Sequence, residues 1–364
     1  MSDPLIDVVI ACHDPSRPIE RAVRSVLADD TARSLARVTV IAHGLDATTF
    51  DQRLAGIAGD WRVVPFADGA RSAAGPFNHG LSLVETDYCA VMGSDDFLEP
   101  GAVAAWAEAV RERRPDMAIA RIRIQGQAVM PNPLVRLGRH HDLDAERDRL
   151  FYRTAPLGLI RTATMRELDL RMTEGVRVGE DFEFTVRLFT EGRRIDLLEG
   201  LPCYVIGTDA RERTTEATMS LEDDLAAVVR LVSSPAVRAL PSRWRRSLAI
   251  KLVRVSVIGK ARARSAAGTW IGDAEVAHVA GLLRSLIALA PGVLRPFNIQ
   301  DRRVLDALLT EPTVSRLVRE SARAASAGRL QRWLTPNPIF AMSRESTLRR
   351  FILYVLKRER KSRS

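Results

Sequence analysis

Cysteine is scarce: Cys12, Cys89 and Cys203 are the three in 364 residues. An odd number, far apart and each inside an apolar run, excludes a disulfide framework and a cysteine-built zinc site and reads as buried reduced thiols. A reducing, cytoplasmic setting is the expectation. Long apolar runs are also lacking, since no stretch approaches the ~18 residues needed to cross a bilayer. The chain opens Met-Ser-Asp-Pro and passes straight into a strand-like run, with no basic region or cleavage site, so no signal peptide is expected. Loop 67–76 holds Gly69 and Gly75 but no Gly-x-x-x-x-Gly-Lys-Ser/Thr, which speaks against a P-loop hydrolase. Ser16, Ser72 and Ser82 lack a nucleophile elbow, so serine-hydrolase chemistry has no support. Neither internal repeats nor a low-complexity tract is present.

What is there is enough for two ordinary domains, with a hydrophobic fraction of 46% that suffices for a real core. The charge is divided unevenly. Residues 1–215 carry 27 basic against 33 acidic side chains, whereas 216–364 carry 27 against 12. This asymmetry predicts an acidic domain over 1–215 and a basic one over 216–364, the second with an anionic partner.

The first half alternates strands and helices. Residues 5–11, 38–42, 61–65 and 88–92 are apolar, β-branched runs that fit buried parallel strands. Between them, residues 19–28, 48–58 and 77–85 have helical spacing. Such alternation predicts an α/β fold, a mainly parallel sheet covered by helices on both faces. The fourth strand ends in Gly93-Ser94-Asp95-Asp96. Two carboxylates at the carboxyl end of a buried strand are costly unless they meet a cation or a donor. That end of an open α/β sheet is also where ligands bind. Two readings stand: a divalent metal (Mn²⁺ or Mg²⁺) holding a diphosphate through Asp95 and Asp96, or an N-cap for the helix that follows.

Three motifs, in this order, give the first half a resemblance to the inverting family 2 glycosyltransferases with the GT-A fold, over roughly residues 4–210. They are Gly75-Pro76-Phe77-Asn78-His79-Gly80-Leu81, similar to the family's Arg-Asn-x-Gly helix start; Gly93-Ser94-Asp95-Asp96, similar to its Asp-x-Asp-Asp metal motif; and Gly179-Glu180-Asp181 with Arg187, similar to its Glu-Asp-x-x-x-x-x-Arg acceptor motif. The resemblance implies a Rossmann-like GT-A domain with a mixed, mainly parallel sheet. It implies transfer of a sugar from a nucleoside diphosphate, a UDP-sugar favoured, to a saccharide or lipid-linked acceptor in surface polysaccharide, teichoic acid or glycolipid assembly. It assigns the metal to Asp95 with Asp96 in support, and the catalytic base to Asp181, with Glu180 beside it at the acceptor.

The sequence departs from the family at three places. Where two aspartates usually follow the second strand stands His43-Gly44-Leu45-Asp46, so His43, Asp46 and Asp68 compete for the nucleotide base. Gly93 replaces the first aspartate of the metal motif, and Phe77 replaces the arginine before Asn78, so charge for the diphosphate is sought at Arg71, Arg211 or Arg213. His13, after the first strand, is a further nucleotide-facing candidate, and Asn78 either caps its helix or lies at the ligand. Glu180-Asp181 has a second reading as N-terminal charge on helix 182–190, and Glu183 with Arg187 reads as a surface ion pair. The cluster His140-His141-Asp142-x-Asp144 has two readings, a metal site or a solvated loop near the acceptor, and the lack of a partner cluster and the Arg-rich surroundings favour the loop.

From Glu216 on the pattern is helical. Leu225, Val228, Val229 and Val232 make one apolar face; Leu248, Leu252, Val253 and Val255 a second; Leu282, Leu283, Leu286, Ile287 and Leu289 a third. The tail from Leu348 to Arg358 is apolar with basic flanks, and Arg360, Lys361 and Arg363 extend it. It fits either an anionic membrane surface, giving peripheral attachment at the inner face of the cell membrane, or packing on the bundle or a sister chain in a homo-oligomer. Nucleic-acid binding has no module, zinc spacing or aromatic interleaving behind it. A second functional class stays open: a non-catalytic assembly protein, in which the altered motifs mark a decayed site and the basic half docks to a membrane or partner.

Overall fold

The computed structural model describes residues 3–209 and 219–361, and the chain divides into two compact units. The first comprises 1–132, 138–144 and 153–218, and the second 133–137, 145–152 and 219–364. Two short segments of the acidic half therefore belong to the helical unit. The boundary expected at 215/216 lies outside the described residues.

In the first unit the elements run β1 (Ile6–Cys12), α1 (Ile19–Val26), α2 (Asp30–Leu35), β2 (Ala36–His43), α3 (Ala47–Leu54), β3 (Asp60–Phe66), α4 (Ala74–Ser82), β4 (Tyr88–Gly93), β5 (Phe97–Leu98), α5 (Ala102–Arg113), β6 (Met117–Ile119), β7 (Ile122–Ile124), β8 (Val129–Met130), β9 (Gly158–Arg161), α6 (Thr162–Glu167), α7 (Phe182–Glu191), β10 (Ile195–Leu197) and β11 (Tyr204–Ile206). Among the described residues these strands form a seven-stranded sheet of order β10-β6-β9-β4-β1-β2-β3 and a four-stranded sheet of order β5-β11-β7-β8. In the larger sheet β9 runs antiparallel to β4 and β6, and the other pairings are parallel. The fold is the mixed, mainly parallel α/β sheet expected.

One core lies on the face where Ile6, Val8, Ile10 and Cys12 meet Ile19, Val23 and Val26 of α1 and Trp106 of α5. On the other face α4 sits close to the sheet. A Cβ at Gly80 would lie 2.3 Å from a methyl of Val9, so glycine is required for that approach. Asp7, fully buried in β1, accepts from the Thr39 hydroxyl at 2.9 Å and faces Arg62 at 3.5 Å. All three cysteines are buried and free.

Several boundaries differ from expectation, the helix expected over 48–58 ending at Leu54 and the one expected over 77–85 at Ser82, and two differences have local reasons. The helix expected over 19–28 ends at Val26 because Asp29 caps a new helix, α2, by accepting the Ala32 N–H at 2.8 Å. The helix expected from 77 begins at Ala74, because Pro76 falls in its first turn, where a missing N–H costs nothing.

The second unit is helical: α8 (Leu221–Ser233), α9 (Pro235–Ala239), α10 (Ser242–Leu252), a π-helical stretch Val253–Gly259, α11 (Lys260–Ala267), α12 (Asp273–Leu289), α13 (Ile299–Thr310), α14 (Val314–Ala325), α15 (Arg329–Trp333), a 3₁₀ turn Pro338–Met342 and α16 (Thr347–Lys361). Its core includes Leu225, Leu248, Leu252, Val257, Val279, Leu283, Leu286, Val304 and Leu308. Val229 and Val255, expected on apolar faces, are exposed. Val255 lies in the π-helical stretch, whose wider turn shifts the face that a 3.6-residue period would bury. No helix among the described residues is long and apolar enough to cross a membrane.

Candidate active site

Strands β1 to β4 are parallel neighbours, so their carboxyl ends lie along one edge of the sheet. Ala11 pairs with Gly93, Cys12 with Ala42, and His43 with Phe66. His43 ends β2 at this edge, and the loops leaving it carry His13, Asp46, Asp68, Asp95 and Asp96, all singled out from the sequence.

The two carboxylates after β4 have different surroundings. Asp96 is a structural clasp: Oδ2 accepts the Tyr204 hydroxyl at 2.5 Å and Oδ1 accepts the Gly207 N–H at 2.9 Å. The Tyr204 oxygen in turn accepts the Gly93 N–H at 3.0 Å. Burial, and then the Asp96 charge, push the Tyr204 phenol well above its ordinary value, so it stays a donor. Glycine at 93 follows from this clasp, since a Cβ there would lie 2.6 Å from Asp96 Oδ2. A side chain at 207 is equally excluded, with a Cβ 1.8 Å from the Asp95 carbonyl oxygen.

Asp95 meets a buried arginine. Arg17 Nη1 lies 2.8 Å from Asp95 Oδ2, with Arg17 only 6% exposed. The turn before it is fixed by Asp14, whose carboxylate accepts the Ser16 N–H at 2.8 Å and the Ser16 hydroxyl at 2.9 Å. These bonds lower the Asp14 pKa. One helical turn on, Arg21 donates to the Asp95 carbonyl at 2.5 Å, grips both oxygens of Asp209 at 2.5 and 2.9 Å, and lies over the Phe97 ring at 4.7 Å. The sequence reading missed Arg17, Arg21, Tyr204 and Asp209. The spacing of Arg17 and Arg21, four apart at the start of α1, was the one signal available. Of the arginines considered instead, Arg71 is exposed in the loop after β3, and Arg211 and Arg213 lie outside the described residues.

Two of the three candidates for the nucleotide base come together. His43 Nε2 is 2.8 Å from Asp68 Oδ1, which also accepts the Ala70 N–H at 2.9 Å. The Ala70 bond first, and His43 next, hold the Asp68 carboxyl below its ordinary value. Phe66 flanks the pair, its ring 5.8 Å from His43 and stacked on His79 at 5.0 Å. A Cβ at Gly75 would lie 2.1 Å from Asp68 Oδ2, so this first glycine of the α4 motif makes room for the carboxylate. Asp46 is apart from them: it caps α3 by accepting the Thr48 N–H at 3.0 Å. His13 has its imidazole pKa lowered by desolvation and by the Arg17 charge, which favours the neutral ring.

Asn78 does not cap its helix. It sits inside α4 and clamps a distant loop, with Oδ1 accepting the Met172 N–H at 2.7 Å and Nδ2 donating to the Met172 carbonyl at 3.0 Å. The Thr173 N–H donates to the Glu180 carbonyl at 2.7 Å, closing the loop that delivers Glu180 and Asp181 to the start of α7. Asp181 occupies the N-cap position, yet its side chain makes no capping bond. Burial raises the Glu180 carboxyl. The ion pair of Arg187 is with Glu191, at 2.9 Å, in place of the pair expected with Glu183. His141 in the 140–144 loop pairs with Asp196 at 3.0 Å.

No group of three metal-ligating side chains occurs among the described residues. With Asp96 committed to Tyr204 and Gly207, Asp95, whose Oδ2 pairs with Arg17, is the carboxylate of this loop that could hold a hard divalent ion. The donor set does not fit an ion caged by protein alone.

These features can be set beside known proteins. The family described as glycosyl transferase family 2 matches residues 7–168. The poly(ribitol-phosphate) β-N-acetylglucosaminyltransferase TarS of Staphylococcus aureus (strain Mu50) is 23% identical over 159 residues, 43% of this chain and 27% of that protein. A poly(ribitol-phosphate) β-glucosyltransferase of Bacillus spizizenii is 20% identical over 160 residues, 44% of this chain and 25% of its own length. The matches thus span about a quarter of these relatives. The crystal structure of S. aureus TarS 1–349 with UDP-GlcNAc superposes with a TM-score of 0.73 at 18% identity, covering 89% of this chain and 93% of that one. In motif and in fold the chain resembles the GT-A glycosyltransferases of family 2, whose pattern it carries over residues 7–168.

Proposed function

We propose that the protein is an inverting glycosyltransferase, taking a sugar from a nucleoside diphosphate, UDP favoured, to a saccharide or lipid-linked acceptor in teichoic acid or related surface-polymer assembly. The observation that carries the reading is the clamp from Asn78 to Met172, which ties the Glu180-Asp181 turn to the unit that presents Asp95. The named activities of the relatives, both poly(ribitol-phosphate) glycosyltransferases, and the UDP-GlcNAc of the TarS complex favour the acceptor and donor classes.

In this reading Asp181 accepts the proton of the attacking hydroxyl as the new bond forms, a role worth ~10²–10⁴-fold. A single displacement inverts the anomeric carbon and expels the diphosphate. Arg17, beside Asp95, stabilises the charge that develops on the leaving group. His43 and Asp68, with Phe66 against His43, suit a hydrogen-bonded, stacked nucleobase. A Mn²⁺ or Mg²⁺ ion at Asp95, when bound, supplies further neutralisation of the diphosphate. The setting proposed is cytoplasmic, with peripheral attachment at the membrane.

The test is calorimetry with UDP, GDP, dTDP, ADP and CMP, with and without Mn²⁺, followed by turnover of the donor selected. One nucleotide should bind with metal and lose that dependence in Asp95→Ala. Asp181→Asn should keep donor affinity and fold while turnover falls by ~10²-fold or more. Equal turnover in wild type and Asp181→Asn would sink the assignment.

A further inference from the structure

Helix α16 is oriented against its own amphipathicity. Leu348, Phe351, Ile352, Val355 and Leu356 fall at i, i+3, i+4, i+7 and i+8, which is one apolar stripe. A packed terminal helix buries such a stripe. Here Phe351, Ile352 and Leu356 are exposed, while Arg350 turns inward, its guanidinium 3.9 Å from the Tyr152 ring centroid and 3.6 Å from the buried Glu345. The elements packed against α16 continue the pattern. The 3₁₀ turn exposes Ile339 at 80% and Met342 at 56%, and α15 exposes Leu330 at 71%. Trp333 of α15 meets Phe351 with ring centroids 4.1 Å apart.

The charge of this segment is mainly positive. Residues 329–357 contain six arginines and lysines, of which Arg344 and Arg350 pair with Glu146 and Glu345, and the segment's one acid, Glu345, is buried. A second copy would bring one cationic surface against another, which opposes self-association. A nucleic acid would satisfy the cations but leave Ile339, Ile352 and Leu356 in water. A bilayer with anionic headgroups answers both features: acyl chains take the apolar side chains, and headgroup phosphates take the guanidinium and ammonium groups. We infer that α15, the 3₁₀ turn and α16 form a docking surface for an anionic lipid bilayer. The inference specifies the peripheral attachment proposed above and is independent of the sugar chemistry.

The experiment is vesicle flotation of the full chain, with no donor or acceptor present. Vesicles of phosphatidylcholine alone are compared with vesicles containing phosphatidylglycerol. Binding to the anionic vesicles should exceed that to neutral ones and fall about tenfold or more in Ile352→Asp/Leu356→Asp. Both side chains are exposed, so circular dichroism and melting should match wild type. Arg349→Glu should weaken binding in the same direction. Equal partition of wild type and the double variant would overturn the inference. So would absence of vesicle binding, whether the patch then proved to mediate a discrete oligomer in light scattering or to retain RNA. Turnover that persists without vesicle binding would leave the glycosyltransferase reading intact and remove this one alone.

Discussion

Single residues in the acidic loop are specialised by their neighbours rather than by their own chemistry. Asp95 and Asp96 are adjacent and identical, yet one faces a buried guanidinium and the other a tyrosine hydroxyl and a main-chain N–H. The difference assigns Asp96 to holding the loop and leaves Asp95 paired with Arg17 beyond the carboxyl end of β4. Tyr204→Phe removes one donor from Asp96 and the acceptor of the Gly93 N–H. Leaving buried groups unsatisfied should cost about 1–3 kcal/mol, read by urea denaturation. Donor affinity should fall with it, because the carboxylate loop loses its anchor. Unchanged stability in Tyr204→Phe would show that the clasp is incidental.

At the scale of elements, the acceptor-side loop depends on a helix far away in sequence. Asn78 is 94 residues from Met172, and its amide satisfies both main-chain groups there. Asn78→Ala should therefore loosen 172–181 specifically. Amide exchange in that loop should rise, and turnover should fall with donor affinity kept, because α4 itself is held by Gly80 against Val9 and Ile41. Exchange that rises equally across the whole first unit would mean global destabilisation instead.

At the scale of the molecule, a buried polar relay links three strands through Asp7, Thr39 and Arg62. Burial raises the Asp7 carboxyl above its ordinary 3.8, outweighing Thr39 and Arg62, so the folded chain binds that proton more tightly than the unfolded chain does. The contribution of this group to stability is therefore greatest at acid pH and declines as pH rises from 3.8 through the raised value. Asp7→Asn removes that slope. The melting temperature of the variant relative to wild type should climb over this window and level off above it. A constant difference at every pH would contradict the raised pKa.

Much of the fold could be read in the chain because parallel strands buried on both faces are local and apolar. Residues 5–11 and 88–92 announced β1 and β4 within one residue. The helix α2 could not be read, because a six-residue helix opened by the Asp29 cap has too few turns to show a period. Site positions followed strand ends, and so the motif order alone brought His43, Asp68, Asp95 and Asp96 to one edge. The sequence also determined the placement of charge, an acidic α/β half and a basic helical half, since both follow from composition. Tertiary structure decided that Asp96 is a clasp, that Asp68 meets His43 and that Asp95 faces an arginine. Arg17 reaches Asp95 across 78 positions, and Tyr204 reaches Asp96 across 108. Pairings at such separation leave no periodic trace, because they depend on strand order and on how closely a glycine lets backbones approach.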